Sequence, residues 1–136
     1  MQALRKFGTL GIVAFAAACS SGGSTGNDNG NRPNFPQNPG GSPVSNASIS
    51  VNDNYFSPNS VNLAAGGNVT WNWLGAEGHS VTPESGTSFS PTAPVSFPPK
   101  TLVVTFASAG TYRFYCTVHG GDAYGQDAMV GSIFVQ

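Results

Sequence analysis

Short alternating runs of apolar and polar residues recur along the chain from residue 47 to its end, separated by loops. Ile49 and Val51 alternate with polar neighbours, and Val69, Trp71 and Trp73 share one parity further along. Strict alternation is typical of a β-strand with one buried face, because successive side chains point to opposite faces of a sheet. These runs predict strands whose apolar faces build a core, with both tryptophans as core residues.

The same pattern continues to the C-terminus. Residues 60–63 predict a short strand, and the small residues at 65–68 predict a turn before the tryptophan strand. Residues 83–100 are rich in proline and have no period, which indicates a long surface loop. Further strands follow at residues 101–106 and 111–116 and at the end of the chain. Seven or eight short strands without a helical run predict an all-β fold, an antiparallel Greek-key sandwich or barrel.

The N-terminus follows a different pattern. A positively charged start precedes an apolar stretch at residues 7–18, as in an export signal, and this stretch is too short to span a bilayer. Residues 16–19 resemble the bacterial lipobox, in which cleavage precedes a cysteine that becomes diacylglyceryl-modified. We therefore predict a signal peptide at residues 1–18 and lipidation of Cys19. An ordinary secretory cleavage site beside a coincidental cysteine is the alternative.

Residues 20–45 consist almost entirely of Gly, Ser, Asn and Pro. Such a segment cannot bury enough apolar surface to offset its ordering entropy, so we expect disorder. As a flexible coil it would reach roughly 25–30 Å and would act as a tether. The predicted organisation is a signal peptide at residues 1–18, an acylated cysteine with a disordered linker at residues 19–45, and a folded domain at residues 46–136.

Charge excludes one class of partner. The formal net charge of the 136-residue chain is −1, but two of its cations lie in the predicted signal peptide. From residue 19 onward three basic residues stand against six acidic ones, which gives a net charge of −3. Nothing in this balance attracts a polyanion, so we expect no nucleic-acid partner.

Cysteine usage points to a metal. If Cys19 carries lipid, Cys116 is the remaining thiol, and an unpaired cysteine in an oxidising compartment needs an explanation. An inert buried thiol, a disulfide with Cys19 and a metal-bound thiolate are the three alternatives. A histidine three residues further on, His119, favours the metal.

Four side chains form a candidate metal site. Cys116 and His119 lie at the end of a predicted strand whose parity points Cys116 inward, and Met129 follows beyond a Gly-rich loop. His79 lies far upstream, so only the fold can bring it to the other three. Two histidines, a cysteine thiolate and a weak axial methionine are the ligand set of a blue-copper electron-transfer site. Every histidine of the chain and its only methionine outside the predicted signal fall into this set.

The sequence around these residues resembles the cupredoxins, the family of small blue-copper proteins that includes plastocyanin and pseudoazurin. Residues 110–119, followed by Met129 and Gly131, are similar to the C-terminal signature of that family. Residues 56–61, 66–71 and 79–82 resemble its N-terminal half, so the resemblance covers about residues 47–136.

Two features depart from the family pattern. The loop from His119 to Met129 is longer than in plastocyanin. Ser80 stands where many relatives have an asparagine that braces the cysteine loop.

The resemblance implies a cupredoxin-like fold and one type 1 copper ion. Its ligands would be ring nitrogens of His79 and His119, the thiolate of Cys116 and the axial Met129. The ring edge of His119 would be the electron port. The implied function is that of an electron carrier, which cycles between Cu(II) and Cu(I).

Its partners would be redox proteins, such as c-type cytochromes or a terminal oxidase or reductase. We expect a monomer, anchored to a membrane through Cys19 on its periplasmic or cell-surface side.

Three other functions are alternatives to this one. A copper-binding lipoprotein could store or deliver the ion, although the chain has no Met-rich or His-rich tract. An enzyme is not expected, because Cys116 and His119 have no paired acid to orient a base, and no further histidines exist for additional copper. A sandwich that has lost its metal could act as a binding module, but its ligand set is intact.

Overall fold

The computed structural model describes residues 35–120 and 128–136, whose regular structure is entirely β. Among these residues no helix is long and apolar enough to cross a membrane. The prediction of an all-β fold with seven or eight strands is confirmed. The strands are β1 (Val44–Asn52), β2 (Tyr55–Ser57), β3 (Ser60–Trp73), β4 (His79–Pro83), β5 (Ala93–Ser96), β6 (Thr101–Phe106), β7 (Gly110–Tyr115) and β8 (Val130–Val135).

The long strand β3 connects the two layers of the structure. Its residues 60–63 pair with β8, whereas its residues 67–72 pair with β6, and β1 lies along the other side of this second part. The strand order is β2-β1-β3-β8-β7-β4-β5, with β6 joined to β3. Because β3 takes part in both groups of strands, it ties the layer of β1, β2 and β6 to the layer of β8, β7, β4 and β5.

The predicted turn at residues 65–68 is wrong, because β3 continues through it. Gly66 has a φ of 82°, in the left-handed region that glycine adopts without steric cost. The N–H of the preceding Ala65 donates to the carbonyl of Gln136 at 2.8 Å, which keeps the backbone paired. The left-handed conformation of Gly66 thus bends β3 at the point where this strand passes from one layer to the other.

Strand direction also differs from the expectation. The sequence predicted an antiparallel sandwich, but β1 and β3 are parallel, as are β3 and β8. The other strand pairs are antiparallel. Alternation along a sequence shows which face of a strand is buried, whereas the direction of pairing depends on the route of the connections. The fold class is confirmed, with mixed instead of purely antiparallel pairing.

One strand lies inside the predicted surface loop at residues 83–100. β5 pairs with β4, with His79 opposite Ser96 and Val81 opposite Ala93. The segment is short and contains a proline, so it has the character of an edge strand that periodicity does not reveal.

The folded part also begins earlier than residue 46. β1 starts at Val44, and the side chain of Phe35 is buried. The Ser60 hydroxyl donates to the carbonyl of Gln37 at 2.6 Å, and the Asn62 amide donates to that of Gly41 at 2.7 Å. These contacts fasten residues 35–41, which the sequence assigned to the linker, to the start of β3. The polar, proline-rich composition of this segment gave no indication that its one aromatic residue, Phe35, would be buried.

The core between the layers is centred on Trp71 and Phe114. Both are fully buried, and their rings meet edge to face with centroids 5.4 Å apart. Phe56 from β2 meets Phe114 at 4.8 Å, and Phe89 stacks on Trp71 at 5.9 Å. Such aromatic pairs stabilise a core beyond their buried area. Since Phe114 lies two residues before Cys116, this packing also fixes the strand that carries the cysteine.

The register of β6 can be tested with two neighbouring valines. Val104 is 1% exposed and Val103 is 51% exposed. We expect Val104→Ala to lower the free energy of unfolding by about 2 kcal/mol, because it leaves a cavity in the core. The matched Val103→Ala should cost about 0.5 kcal/mol or less. Urea unfolding followed by tryptophan fluorescence measures both, and equal losses would contradict the alternation.

Candidate metal centre

His79, Cys116 and His119 converge at one end of the sandwich. His79 opens β4, Cys116 follows the last residue of β7, and His119 lies in the loop that leaves this strand. β4 and β7 pair directly, with Thr82 opposite Tyr115. This pairing joins two parts of the sequence that are 37 residues apart, as the predicted site requires.

The three donor atoms form a small triangle. Sγ of Cys116 lies 3.8 Å from Nδ1 of His79 and 3.9 Å from Nδ1 of His119, and the two nitrogens are 3.2 Å apart. Bonds of about 2.0 Å to nitrogen and about 2.3 Å to sulfur, spread in a plane, separate such donors by about 3.5 and 3.7 Å. The observed triangle therefore fits one trigonally bound metal ion. Two imidazoles and one thiolate in a trigonal arrangement are the donor set of a blue-copper site.

The site is closed on one side and open on the other. His79 and Cys116 are fully buried, whereas the side chain of His119 is 22% exposed. Water is therefore kept from the thiol and from one imidazole. The second imidazole provides the accessible edge of the cluster.

Asp53 and Trp73 hold His79 in place. Oδ1 of Asp53 lies 3.1 Å from Nε2 of His79. A carboxylate can only accept, so Nε2 carries the proton and Nδ1 keeps its lone pair for a metal. The indole N–H of Trp73 donates to the carbonyl of His79 at 3.0 Å.

Neither role was predicted, because Asp53 was assigned to a turn and Trp73 to the core alone. Asp53 lies 26 residues before His79, so no local pattern connects them. The alternation in β3 correctly buried Trp73, but it does not report a bond to a distant carbonyl.

The same carboxylate organises the loop before His79. It accepts the N–H of Glu77 at 2.9 Å and the N–H of Ala76 at 3.1 Å. At Gly75 a side chain would collide with Asp53, so the loop can approach the carboxylate only with glycine there. Hydrogen bonds to the ionised carboxylate lower the pKa of Asp53 from 3.8 to about 2. The Glu77 N–H has the largest effect, followed by the His79 ring and then the Ala76 N–H.

Ser80 braces the cysteine from the neighbouring strand. Its backbone N–H points at Sγ of Cys116 at 3.4 Å, and its hydroxyl accepts the N–H of Thr117 at 2.9 Å. The same hydroxyl lies 3.1 Å from the side-chain oxygen of Thr117. The support for the cysteine loop that the family resemblance led us to expect from an asparagine is supplied here by a serine. A hydrogen bond to the sulfur is one of the levers that tune a thiolate ligand.

The backbone of Met129 is hydrogen-bonded to two residues of the cluster. Its carbonyl accepts the N–H of Cys116 at 3.0 Å, and its N–H donates to the carbonyl of His119 at 3.1 Å. The residue is buried with Cys116 in the core. Its role as the axial ligand stays a prediction. Most of the loop before it, residues 121–127, and the predicted lipidation site Cys19 lie outside the described residues.

An eight-stranded β-sandwich with two histidines and one cysteine at its end defines a class of copper-binding proteins. A family model described as "Copper binding proteins, plastocyanin/azurin family" matches residues 44–136. The chain belongs to this family and is a cupredoxin. Its cluster of His79, Cys116 and His119 is suited to binding one copper ion. The predicted family and cofactor are confirmed.

Solved structures share the fold at low sequence identity. An oxidised amicyanin variant aligns with a TM-score of 0.55 and 21% identity, over 66% of this chain and 81% of its own. A purple cupredoxin from Nitrosopumilus maritimus aligns with a TM-score of 0.53 and 21% identity, over 66% of this chain and 99% of its own. A copper-containing nitrite reductase from Thermus scotoductus aligns with a TM-score of 0.55 and 19% identity, over 71% of this chain but 23% of its own. No curated protein sequence matches the chain.

The Asp53 carboxylate should make the free energy of unfolding depend on pH in the acid range. Its folded pKa is about 2, below the ordinary 3.8, so its stabilising effect is complete above pH 3.8. The effect is lost as the pH falls through 3.8 towards 2, because the unfolded chain then binds the proton more tightly. We expect the unfolding free energy of the copper-free protein to exceed that of Asp53→Asn at pH 6, and the difference to shrink between pH 4 and pH 2. Urea unfolding at each pH measures it, and a constant difference would contradict the assignment.

Proposed function

We propose that this cupredoxin is an electron carrier with one type 1 copper centre. The triangle of Nδ1, Nδ1 and Sγ atoms with sides of 3.2, 3.8 and 3.9 Å is the observation that carries the proposal. His79, His119 and Cys116 would hold the ion, and Met129 would be its axial ligand. Copper supplies a one-electron couple between Cu(II) and Cu(I) at such a site.

The chain's contribution is to keep the donor atoms still. Asp53 and Trp73 fix His79, and Ser80 fixes the loop of Cys116. Donor atoms that cannot relax towards the preferred geometry of either oxidation state reorganise little when an electron arrives or leaves. A donor set held in one geometry in this way favours rapid electron transfer.

His119 would be the route of the electron to a partner. It is the ligand whose ring reaches the surface, whereas His79 and Cys116 are fully buried. The neighbouring Val118 is exposed and apolar, which suits close contact with another protein. The partners would be redox proteins, with c-type cytochromes or a terminal oxidase or reductase as the expected classes.

A catalytic role receives less support than a carrier role. The nitrite reductase that shares the fold is a much longer chain, and the alignment covers 23% of it. Among residues 35–120 and 128–136, one cluster of potential metal ligands is found, and it uses both histidines of the chain. A second copper centre would need further histidine ligands.

The ligand set can be tested on the copper-loaded protein. Wild type should show the intense visible absorption of a copper–thiolate bond, and Cys116→Ser should abolish it because the sulfur donor is lost. Met129→Leu should keep the colour and raise the reduction potential, since the axial ligand tunes the couple. Absorption, EPR and voltammetry measure these changes. A Cys116→Ser protein that stays blue would refute the site. A Met129→Leu protein with an unchanged reduction potential would refute the axial ligand. Rapid transfer of copper to an acceptor protein would favour copper delivery over electron transfer.

We also propose that the protein is exported and anchored by lipid at Cys19, on the periplasmic or cell-surface side of a membrane. The charged start, the apolar residues 7–18 and the lipobox-like residues 16–19 support this proposal. Two-phase detergent partitioning of cells that express the protein should place wild type in the detergent phase and Cys19→Ser in the aqueous phase. The same partitioning for both proteins would refute the anchor.

A further inference from the structure

Glu77 meets the exposed ligand from outside. Its Oε2 lies 3.3 Å from Nε2 of His119, the ring nitrogen that faces away from the cluster. The side chain of Glu77 is 61% exposed and that of His119 is 22% exposed. The two atoms are thus near hydrogen-bonding distance. A carboxylate therefore lies close to the outer nitrogen of each histidine, Glu77 on the open side of the site and Asp53 on its closed side.

Glu77 is held in this position through its backbone. Its N–H donates to Oδ1 of Asp53 at 2.9 Å, and this same oxygen lies 3.1 Å from Nε2 of His79. One carboxylate in the β1–β2 turn thus contacts the buried imidazole directly and fixes the residue that contacts the exposed one. The outer nitrogens of both imidazoles are connected to a single anchor.

We propose that Glu77 is a positioning residue for His119. Its carboxylate accepts the Nε2–H, which fixes the tautomer and leaves the Nδ1 lone pair directed into the cluster. A carboxylate on the outer nitrogen also makes an imidazole a stronger donor, which favours the more highly charged oxidation state of a bound metal. This inference rests on the proposed copper function, and it adds a residue that the ligand set does not contain.

The expected effect lies in the site and not in the stability of the fold. Exposed ion pairs contribute little to stability because water screens them and ordering two side chains costs entropy. The effect on metal affinity is larger than the effect on stability. Loss of the hydrogen-bond partner on the outer nitrogen of a metal-binding imidazole typically weakens metal binding 10- to 100-fold. A purely structural role for Glu77 would leave the potential and the tautomer unchanged.

Three variants separate hydrogen bonding from charge. Glu77→Ala removes the acceptor and the charge, whereas Glu77→Gln keeps an acceptor oxygen and removes only the charge. Glu84→Gln is the matched control, because it removes the same charge from a carboxylate that lies 3.8 Å from Arg113 and belongs to no part of the cluster.

In the copper-loaded protein, we expect Glu77→Ala to raise the reduction potential and to speed copper loss to a chelator about tenfold or more. Glu77→Gln should fall between Glu77→Ala and wild type in both measurements. Glu84→Gln should match wild type. A Glu77→Ala protein that matches Glu84→Gln in potential and in copper loss would overturn the proposal, as would equal shifts in all three variants.

The copper-free protein gives an independent measurement. Nitrogen-detected NMR at pH 8, where an ordinary imidazole is neutral, reports which ring nitrogen of His119 carries the proton. We expect a larger share of the Nε2–H tautomer in wild type and in Glu84→Gln than in Glu77→Ala, because without Glu77 the Nδ1–H of His119 can donate to Nδ1 of His79 at 3.2 Å with no competing acceptor. An unchanged tautomer in Glu77→Ala would overturn the proposal. If wild type forms no blue centre while the tautomer responds as expected, the proposed function fails and the positioning role of Glu77 stands.

Discussion

The site depends on one constraint: three donor atoms from two distant parts of the chain must stay within 3.9 Å of one another. The direct pairing of β4 with β7 meets it, because this pairing places the start of one strand beside the end of the other. The aromatic core under β7 then prevents Cys116 from shifting along the sheet. Close-packed interiors resist such shifts, so the rigidity of the site is inherited from the sandwich.

Strand alternation and ligand chemistry predicted the centre of this arrangement. The parity of Trp71 and Trp73 placed both rings in the core, where the structure has them. The parity of β7 pointed Cys116 inward, and Cys116 is fully buried beside the two histidines. These predictions succeed because burial of alternate side chains is a local property, and because few residue types serve as ligands for copper.

The residues that support the ligands could not be predicted in the same way. Asp53 has the sequence signature of a turn residue, and its contacts with His79 and Glu77 exist only once the β1–β2 turn meets the loop before β4. The bend at Gly66 has the signature of a turn between strands, although the strand continues through it. Parallel pairing of β3 with β8 depends on where the chain crosses between layers. Each of these features is decided by tertiary contacts, which leave no period in the sequence.

The burial of Cys116 has a consequence for the lifetime of its thiol. Oxidants and other thiols must reach a sulfur atom directly before they can oxidise it or exchange a disulfide with it. Cys116 is a free cysteine with no accessible surface, enclosed by the core on one side and by Ser80 and the histidines on the other. The folded domain therefore shields this free thiol from oxidants in the solvent. A chain that folds before it binds a metal ion keeps this sulfur reduced in the interval.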